Sequence, residues 1–379
     1  MLIERRIFGV GLVEIDGPAT CERADFRTHV RRFMCCGGRL RCGPRHFELG
    51  GRRDEHGRNS ARTSAEALQS TESTVSPSTL YGVSLSPRSY EADDFAEFFE
   101  LARLTGGVVR WAGDWAELGD RQGGAVAIAE LQAKFGYTPV FEANIFRQDP
   151  TPLLRPLSEP QIAEYVRLAR QFAEDYSPPY FGLGIEINML YESVPEDFEK
   201  FVGLFDMAAA AIHEASPGTL VFTSFQLERM HGLAGGLWGG DDDTSTARWH
   251  LLERFPEADL FSFTTYPVLN YTDPRDIPVS HYLEVLEHTS KPVAFTEIGW
   301  PAGTIAPGWE SSQGEQAAAA QRLLELIAPL DSKLVLWSFM FDPAGDLPAP
   351  FLSMGLVEPD GTKRQAFYEW QSAAVGLSE

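Results

Sequence analysis

The pattern of apolar and polar positions changes at about residue 80. From Leu80 onward, short apolar runs alternate with longer segments in which apolar residues recur at helical spacing. Eight runs predict strands, at 81–85, 108–111, 139–145, 180–187, 220–224, 260–266, 292–297 and 334–341. Eight amphipathic segments predict helices, at 92–104, 125–135, 159–175, 195–215, 245–255, 278–288, 314–330 and 363–374. This alternation predicts an α/β fold, a (β/α)8 or TIM barrel.

A doubly wound open sheet is the alternative arrangement for such an alternation. That fold usually carries a glycine-rich phosphate-binding turn after its first strand, whereas residues 83–87 contain no glycine. In the first predicted helix, Phe95, Phe98 and Phe99 share one face at helical spacing and are expected to pack against the strands. The closed barrel therefore remains the preferred fold.

The first 79 residues have a different composition. They contain 13 Arg, no Lys and 10 acidic residues, whereas the remaining 300 contain 19 basic and 44 acidic residues. They are rich in Gly, Arg and Ser and lack the apolar core and cleavage site of a signal peptide. We predict a disordered or loosely attached extension and linker at 1–79 and a barrel catalytic domain at 80–379. Cytoplasmic location and secretion with a mis-assigned N-terminus both stay open.

Charge and composition exclude several classes of function. The net charge of −22 and the absence of a basic stripe argue against nucleic-acid binding. No apolar run approaches the roughly 18 residues of a membrane span, so we predict a soluble protein with no membrane partner. Cys35, Cys36, Cys42 and His46 do not have zinc-finger spacing, and the acidic triplet at 241–243 is more often solvated than bound to calcium. We therefore predict no metal and no cofactor.

Two carboxylates stand at the ends of predicted strands. Glu297 follows the apolar run of strand seven and precedes Gly299, Trp300 and Pro301, and Glu186 lies at the end of strand four. In a barrel, both strand ends open at one mouth, where active sites are built. One carboxyl that protonates a leaving oxygen and a second that attacks or activates water are what glycosidic cleavage requires. A strand-end Glu that caps a loop or pairs with an Arg is the simpler alternative for Glu297.

Other strand ends supply polar and aromatic residues that suit a carbohydrate. We take as candidate substrate-binding residues Arg110, Trp111, Asn144, Asn188, Gln226, Tyr266, Trp300 and Trp337. Aromatic faces stack on sugar rings, and amides bind hydroxyl groups. Structural roles are also open: Arg110 could neutralise Asp114, Trp337 could belong to the core, and the amides could cap loops.

These residues resemble the clan A glycoside hydrolases. The segment from Thr296 to Pro301 is similar to the strand-seven motif of the family 53 endo-β-1,4-galactanases and the family 17 β-1,3-glucanases. The resemblance implies a retaining enzyme acting on β-linked sugars, with Glu297 as the nucleophile and Glu186 as the acid/base. It also implies that Arg110 and Tyr266 support the nucleophile and that Trp337 is the strand-eight Trp of the clan.

The chain departs from the clan directly before Glu186. The clan usually has Asn there, in contact with the sugar 2-hydroxyl, and this chain has Ile185. Asn188 or Asn144 could replace that contact, or the substrate could differ at C2. A non-catalytic carbohydrate-binding barrel and a β-glucan transglycosylase therefore remain alternative functions. The sequence indicates no oligomeric state.

Overall fold

The computed structural model describes residues 79–146, 153–344 and 347–375. The predicted extension up to residue 78 and the four candidate zinc ligands lie outside these ranges, so the division into an extension and a barrel domain stays a prediction. Within the described ranges, no helix is long and apolar enough to cross a membrane.

Eight parallel strands form a closed barrel in sequence order, and β8 pairs with β1. This confirms the predicted fold. The strands are β1 Leu80–Ser84, β2 Val108–Asp114, β3 Thr138–Asn144, β4 Tyr180–Leu183, β5 Leu220–Gln226, β6 Leu260–Thr265, β7 Val293–Ile298 and β8 Leu334–Trp337. Every strand except β1 begins at a buried apolar residue or directly before one, as expected for strands covered on both faces.

Two apolar layers cover the two faces of the barrel. The inner layer draws residues from successive strands: Val108, Val140, Tyr180, Phe222, Leu260, Ala294, Leu334 and Leu336. The outer layer joins the other face of the strands to the helices and includes Phe95, Phe98 and Phe99, as predicted for the first helix. The inner layer fills the lower part of the barrel, and Arg110 and Glu142 lie two residues beyond its members Val108 and Val140 on β2 and β3.

The outer helices follow the predicted order with two local differences. The α-helices are α1 Ala92–Leu104, α2 Gly124–Phe135, α3 Glu159–Tyr176, α4 Ile187–Ser193, α5 Pro195–Ala215, α6 Leu227–Met230, α7 Ser280–Leu283, α8 Val285–His288, α9 Gln313–Ile327 and α10 Gln365–Val375. The predicted helix at 245–255 is instead two 3₁₀ helices, Thr244–Thr246 and Trp249–Arg254. The one predicted at 278–288 is divided into α7 and α8.

The fourth strand ends earlier than predicted. Gly184 has φ +75°, and a Cβ there would meet Phe201 and Ile187 at 2.6 and 2.8 Å. Only glycine fits this close approach in a left-handed conformation without strain. The chain therefore leaves the sheet after Leu183, and Glu186 stands on the connection to α4 instead of on the strand.

Candidate active site

The seventh strand carries Glu297 on a β-bulge. In the pairing of β7 with β6, Ala294 lies opposite Ser262 and Glu297 lies opposite Thr264. Three residue steps along β7 therefore match only two steps along β6. Ala294 belongs to the inner layer and Phe295 to the outer layer. Strict alternation would then turn Glu297 away from the barrel interior. The extra residue turns it inward, as bulges beside active sites do.

Glu297 is buried between a cation and a phenol. Nη2 of Arg110 lies 2.8 Å from Oε1 of Glu297, and the hydroxyl of Tyr266 donates a hydrogen bond to Oε2. Oγ of Ser338, at the end of β8, lies 2.9 Å from the Tyr266 hydroxyl. Strands two, six, seven and eight therefore converge on this one carboxylate.

Opposing effects act on the ionisation of Glu297. Burial raises the pKa of its carboxyl, and Arg110 and Tyr266 lower it; the net result is a pKa above the ordinary glutamate value. Burial and the Glu297 charge raise the pKa of the Tyr266 phenol well above its usual value. Tyr266 is therefore a proton donor to Glu297 throughout the neutral range.

Arg110 has a second carboxylate partner, Glu142 on β3. Nε and Nη2 of Arg110 both donate to Oε2 of Glu142, the first at 2.9 Å, and Oγ of Ser224 donates to Oε1 at 3.0 Å. Both Arg110 and Glu142 are buried. The alternative partner considered from the sequence, Asp114, instead forms a two-point ion pair with Arg155, at 2.6 and 2.8 Å.

Glu186 stands just beyond the tip of β4 in a strained backbone conformation. Its φ of 53° and ψ of 41° are left-handed, which is uncommon for a residue other than glycine and is typical of functional positions. Oγ1 of Thr264, opposite Glu297 in the sheet, donates to Oε1 of Glu186 at 2.6 Å. Burial and, after it, the charge of Glu297 raise the pKa of Glu186 to about 8.

Two predicted substrate-binding amides form structural contacts instead. Asn188 is fully buried in α4; its Nδ2 donates to the carbonyl of Gln226 at 3.0 Å, and its Oδ1 accepts from the Gln226 amide at 2.8 Å. The Gln226 side chain accepts from the amide of Arg229 at 2.7 Å and donates to Glu228. Asn188 and Glu186 do not lie on one strand face, because both follow the end of β4. Neither amide is available to a sugar.

Replacing Asn188 with alanine should lower the free energy of unfolding by about 2–4 kcal/mol, because two buried backbone groups of Gln226 would lose their partners. Urea unfolding followed by circular dichroism measures the change. The exposed Gln122→Ala is the control and should change stability by no more than about 0.5 kcal/mol. A loss for Asn188→Ala as small as that of the control would contradict the structural role.

Asn144 lies at the end of β3, near the mouth. Its Oδ1 accepts hydrogen bonds from the backbone amides of Ile145 and Phe146, at 2.8 and 3.2 Å. This contact stabilises the turn out of the strand, as an Asx turn does. The loop-capping role considered from the sequence is therefore present, and a contact between Asn144 and substrate stays a prediction.

The three predicted tryptophans are buried and offer no face to a sugar. Trp300 and Trp337 are 0% exposed and Trp111 is 3% exposed. The Trp337 indole donates to the carbonyl of Met354 at 2.7 Å and packs edge-on against Trp370 of α10. Trp300 donates to Ser311, and Trp111 packs in the outer layer beside Phe141. Strand alternation turns Trp111 and Trp337 outward, so these contacts do not support the predicted substrate-binding role of the three residues.

A further buried acid, Glu228, contacts the backbone beside the site. Thr265 donates to its Oε1 at 2.7 Å, Nε2 of His281 lies 3.2 Å from the same oxygen, and the backbone amide of Tyr266 donates to Oε2 at 3.3 Å. Burial acts to raise the pKa of Glu228, but the hydrogen bonds from His281 and Thr265 outweigh it and lower the pKa. This charged group fixes the backbone that carries the Tyr266 phenol.

The acidic triplet caps backbone turns. Oδ1 of Asp242 accepts from the amides of Ala234 and Gly235 at 2.9 and 2.6 Å, and Asp243 caps the 3₁₀ helix at Thr244. Among the residues that the structure describes, no three His, Cys, Asp or Glu side chains come together as metal ligands.

The structure thus brings together Glu186, Glu297, Arg110 and Tyr266 and excludes Asn188, Gln226 and the three tryptophans. The sequence analysis did not identify Glu142. Its position inside the apolar run at 139–145, two residues before Asn144 and so on the same strand face, indicates an inward side chain. The hydroxyl groups of Ser224 and Thr264, which donate to carboxylates, and of Ser338, which contacts the Tyr266 phenol, carry no comparable signal in the sequence.

No protein-family model and no curated protein sequence matches the chain. Its fold, however, is similar to solved structures. A GH5_18 protein of Bifidobacterium longum subsp. longum, solved in complex with Manβ1-4GlcNAc, superposes with a TM-score of 0.61 at 13% identity, covering 79% of each chain. The chain shares the (β/α)8 barrel fold of this protein. The Ignisphaera aggregans GH53 catalytic domain superposes with a TM-score of 0.58 at 15% identity, covering 79% of this chain and 97% of that one.

Xylanase 10B from Thermotoga maritima has the same architecture, with a TM-score of 0.55 at 10% identity over 80% of this chain and 97% of the xylanase. Identities this low establish the fold alone. The activity must be argued from the residues at the mouth of the barrel.

Proposed function

We propose that the protein is a retaining glycoside hydrolase that cleaves β-glycosidic bonds in an oligo- or polysaccharide. The observation that carries the proposal is the pairing of Glu297, held by Arg110 and Tyr266, with Glu186, whose pKa is raised to about 8. Two neighbouring carboxyls with pKa values set by different surroundings are typical of an acid and a nucleophile.

In the first step, ionised Glu297 attacks C1 of the sugar while Glu186 gives its proton to the leaving oxygen. The C1–oxygen bond breaks, and a glycosyl ester of Glu297 forms. Since Thr264 donates to Oε1 of Glu186, we place the acidic proton on Oε2. Arg110 and the Tyr266 phenol hold the Glu297 carboxylate while its charge is consumed.

In the second step, Glu186 takes a proton from water as the water attacks C1, and Glu297 leaves as a carboxylate. The charge of Glu297 is one of the causes of the raised pKa of Glu186, and esterification removes that charge. The pKa of Glu186 therefore falls in the intermediate, which converts the acid into the base that the second step needs.

Ile185 is the observation that favours a binding function. It is buried, and its side chain has no group that could bind a sugar 2-hydroxyl. The carboxylates and their partners nevertheless remain in place, and a protein that only binds carbohydrate would have no need for a Glu186 carboxyl with a raised pKa. We therefore place hydrolysis first and treat binding as an outcome of the test.

The direct test incubates the full chain with β-linked galactans, glucans, mannans and aryl β-glycosides and measures released reducing sugar. Glu186→Gln and Glu297→Gln are the matched controls, because each keeps the side-chain size and removes the charge or acid. Release that both substitutions remove supports the proposal and identifies the glycan. Sugar binding without release would favour the binding barrel. Acceptor-sugar products in place of reducing ends would indicate a transglycosylase.

Replacing Tyr266 with phenylalanine should lower kcat about 10- to 100-fold, because Glu297 loses a charge-assisted hydrogen bond. That hydrogen bond lowers the pKa of Glu297, so its loss raises the pKa. Glu297 must be ionised to attack. The acidic limb of the pH–rate profile should therefore move to higher pH, which steady-state rates in a series of buffers will measure.

Tyr282→Phe is the control for the loss of a buried phenol. The Tyr282 hydroxyl lies 3.1 Å from Oγ1 of Thr265, and its ring packs against Phe295 in the outer layer. Its removal should leave the acidic limb where it is. An unshifted limb for Tyr266→Phe as well would remove Tyr266 from the support of the nucleophile.

A further inference from the structure

We propose that Glu142 is a positioning residue for the nucleophile: it holds the Arg110 guanidinium, whose Nη2 also contacts Glu297, and shares its charge. This inference rests on the proposed function, since it concerns the same site. Glu142 does not touch Glu297 through any hydrogen bond of the described residues, so that its effect passes through Arg110 and through its own charge.

The contacts around Arg110 divide the guanidinium between two acids. Nε and Nη2 of Arg110 point to Oε2 of Glu142, and the same Nη2 lies 2.8 Å from Oε1 of Glu297. Nη1 donates to Oγ of Ser84 at 3.1 Å. Two nitrogens of the guanidinium, Nε and Nη2, therefore donate to Glu142, and Glu297 contacts only Nη2, which it shares with Glu142. With 1% of Arg110 exposed, water cannot supply a substitute partner.

Glu142 is itself held in place by a side chain two strands away. Ser224 on β5 donates to Oε1 at 3.0 Å, while Arg110 occupies Oε2, so that both oxygens have partners although the residue is 0% exposed. A buried carboxylate with both oxygens satisfied is a rigid anchor. Such an anchor fixes the rotamer of Arg110 before substrate binds. Arg110 is then already in position to stabilise the nucleophile.

The charges around the nucleophile do not balance. One cation, Arg110, faces two buried carboxylates, Glu142 and Glu297. Among the described residues, Glu186, Glu228 and the Tyr266 phenol are further titratable groups near them. The negative charge of Glu142 opposes that of Glu297 and raises its pKa. A more basic carboxylate is a stronger nucleophile at neutral pH, at the expense of activity in acid.

The experiment replaces Glu142 with glutamine in the full chain. A glutamine can keep its Oε1 toward Arg110 and turn its amide toward Ser224, which retains the shape of the site and removes only the charge. We expect kcat to fall about tenfold, KM to change less than kcat, and the acidic limb to move to lower pH. The last effect separates positioning from a merely structural role, which would not move a pKa.

Glu142→Asp is the second variant, and it keeps the charge while withdrawing it by one methylene. We expect kcat to fall here too, because Arg110 follows the shorter carboxylate away from Glu297, with a smaller shift of the acidic limb than in Glu142→Gln. A wild-type kcat and an unshifted limb in both variants would overturn the proposal.

A readout that does not need activity separates this proposal from the function itself. Carbon-13 labelling of the Glu carboxyls allows Glu297 to be titrated by NMR, with its signal assigned by its absence in Glu297→Gln. A lower pKa of Glu297 in Glu142→Gln supports the coupling even if the wild type hydrolyses no glycan. An unchanged pKa in an active enzyme would overturn the role of Glu142 and leave the proposed function intact.

Discussion

Replacing Glu297 with alanine should reduce hydrolysis of aryl β-glycosides by on the order of 10⁵-fold or more, because the covalent step loses its nucleophile. Added azide should restore turnover. Azide is small enough to enter the space that the carboxylate leaves, and it would attack C1 from the α face. The expected product is an α-glycosyl azide, which proton NMR distinguishes from the β anomer by its anomeric coupling.

The stereochemistry of the rescued product is the decisive readout. Glu297→Gln is the matched control, since its amide fills the space and should prevent rescue while being equally inactive. A β-glycosyl azide from Glu297→Ala would mean that another residue is the nucleophile. Hydrolysis with inversion in the wild type would exclude the glycosyl ester on Glu297 altogether, because retention requires two displacements at C1.

Replacing Glu186 with alanine should lower kcat about 10²- to 10⁴-fold on natural glycans and much less on aryl glycosides with acidic phenols. A good leaving group departs without a proton, so that only deglycosylation then needs Glu186. Azide should accelerate that second step and yield a β-glycosyl azide, because the glycosyl ester is attacked from the face opposite Glu297. The two alanine variants thus give products of opposite configuration.

The pH profile provides a second measurement on Glu186. The acid must be protonated, and its pKa is raised to about 8. Wild-type kcat/KM should therefore fall as the pH rises through about 8, and this alkaline limb should be absent in Glu186→Gln assayed on an aryl glycoside. An alkaline limb that persists unchanged in Glu186→Gln would assign the acid to another group.

The barrel and the two carboxylates could be predicted from the sequence because both depend on local patterns. Eight apolar runs between amphipathic segments have few closed arrangements, and a carboxylate at the end of such a run can only lie at the mouth. Tyr266 follows from the same logic, since it comes directly after β6. Arg110 does not, because it is the third of the seven residues of β2 and not the end of a strand.

The direction of each side chain could not be predicted in the same way. Strands of a parallel barrel are buried on both faces, so that an apolar run does not show which residues point inward. Trp337 was placed at the site although it faces outward, against Trp370. Glu142 was overlooked because its partner Arg110 lies 32 residues away in sequence. Such pairings arise only when strands are brought side by side.

Because of the bulge in β7, the direction of the Glu297 side chain depends on the number of residues in that strand. The extra residue between Ala294 and Glu297 is what turns the carboxylate inward. Deleting one residue from this bulge should restore strict alternation and turn the Glu297 carboxylate toward the outer layer, which would abolish hydrolysis with no exchange of any active-site residue.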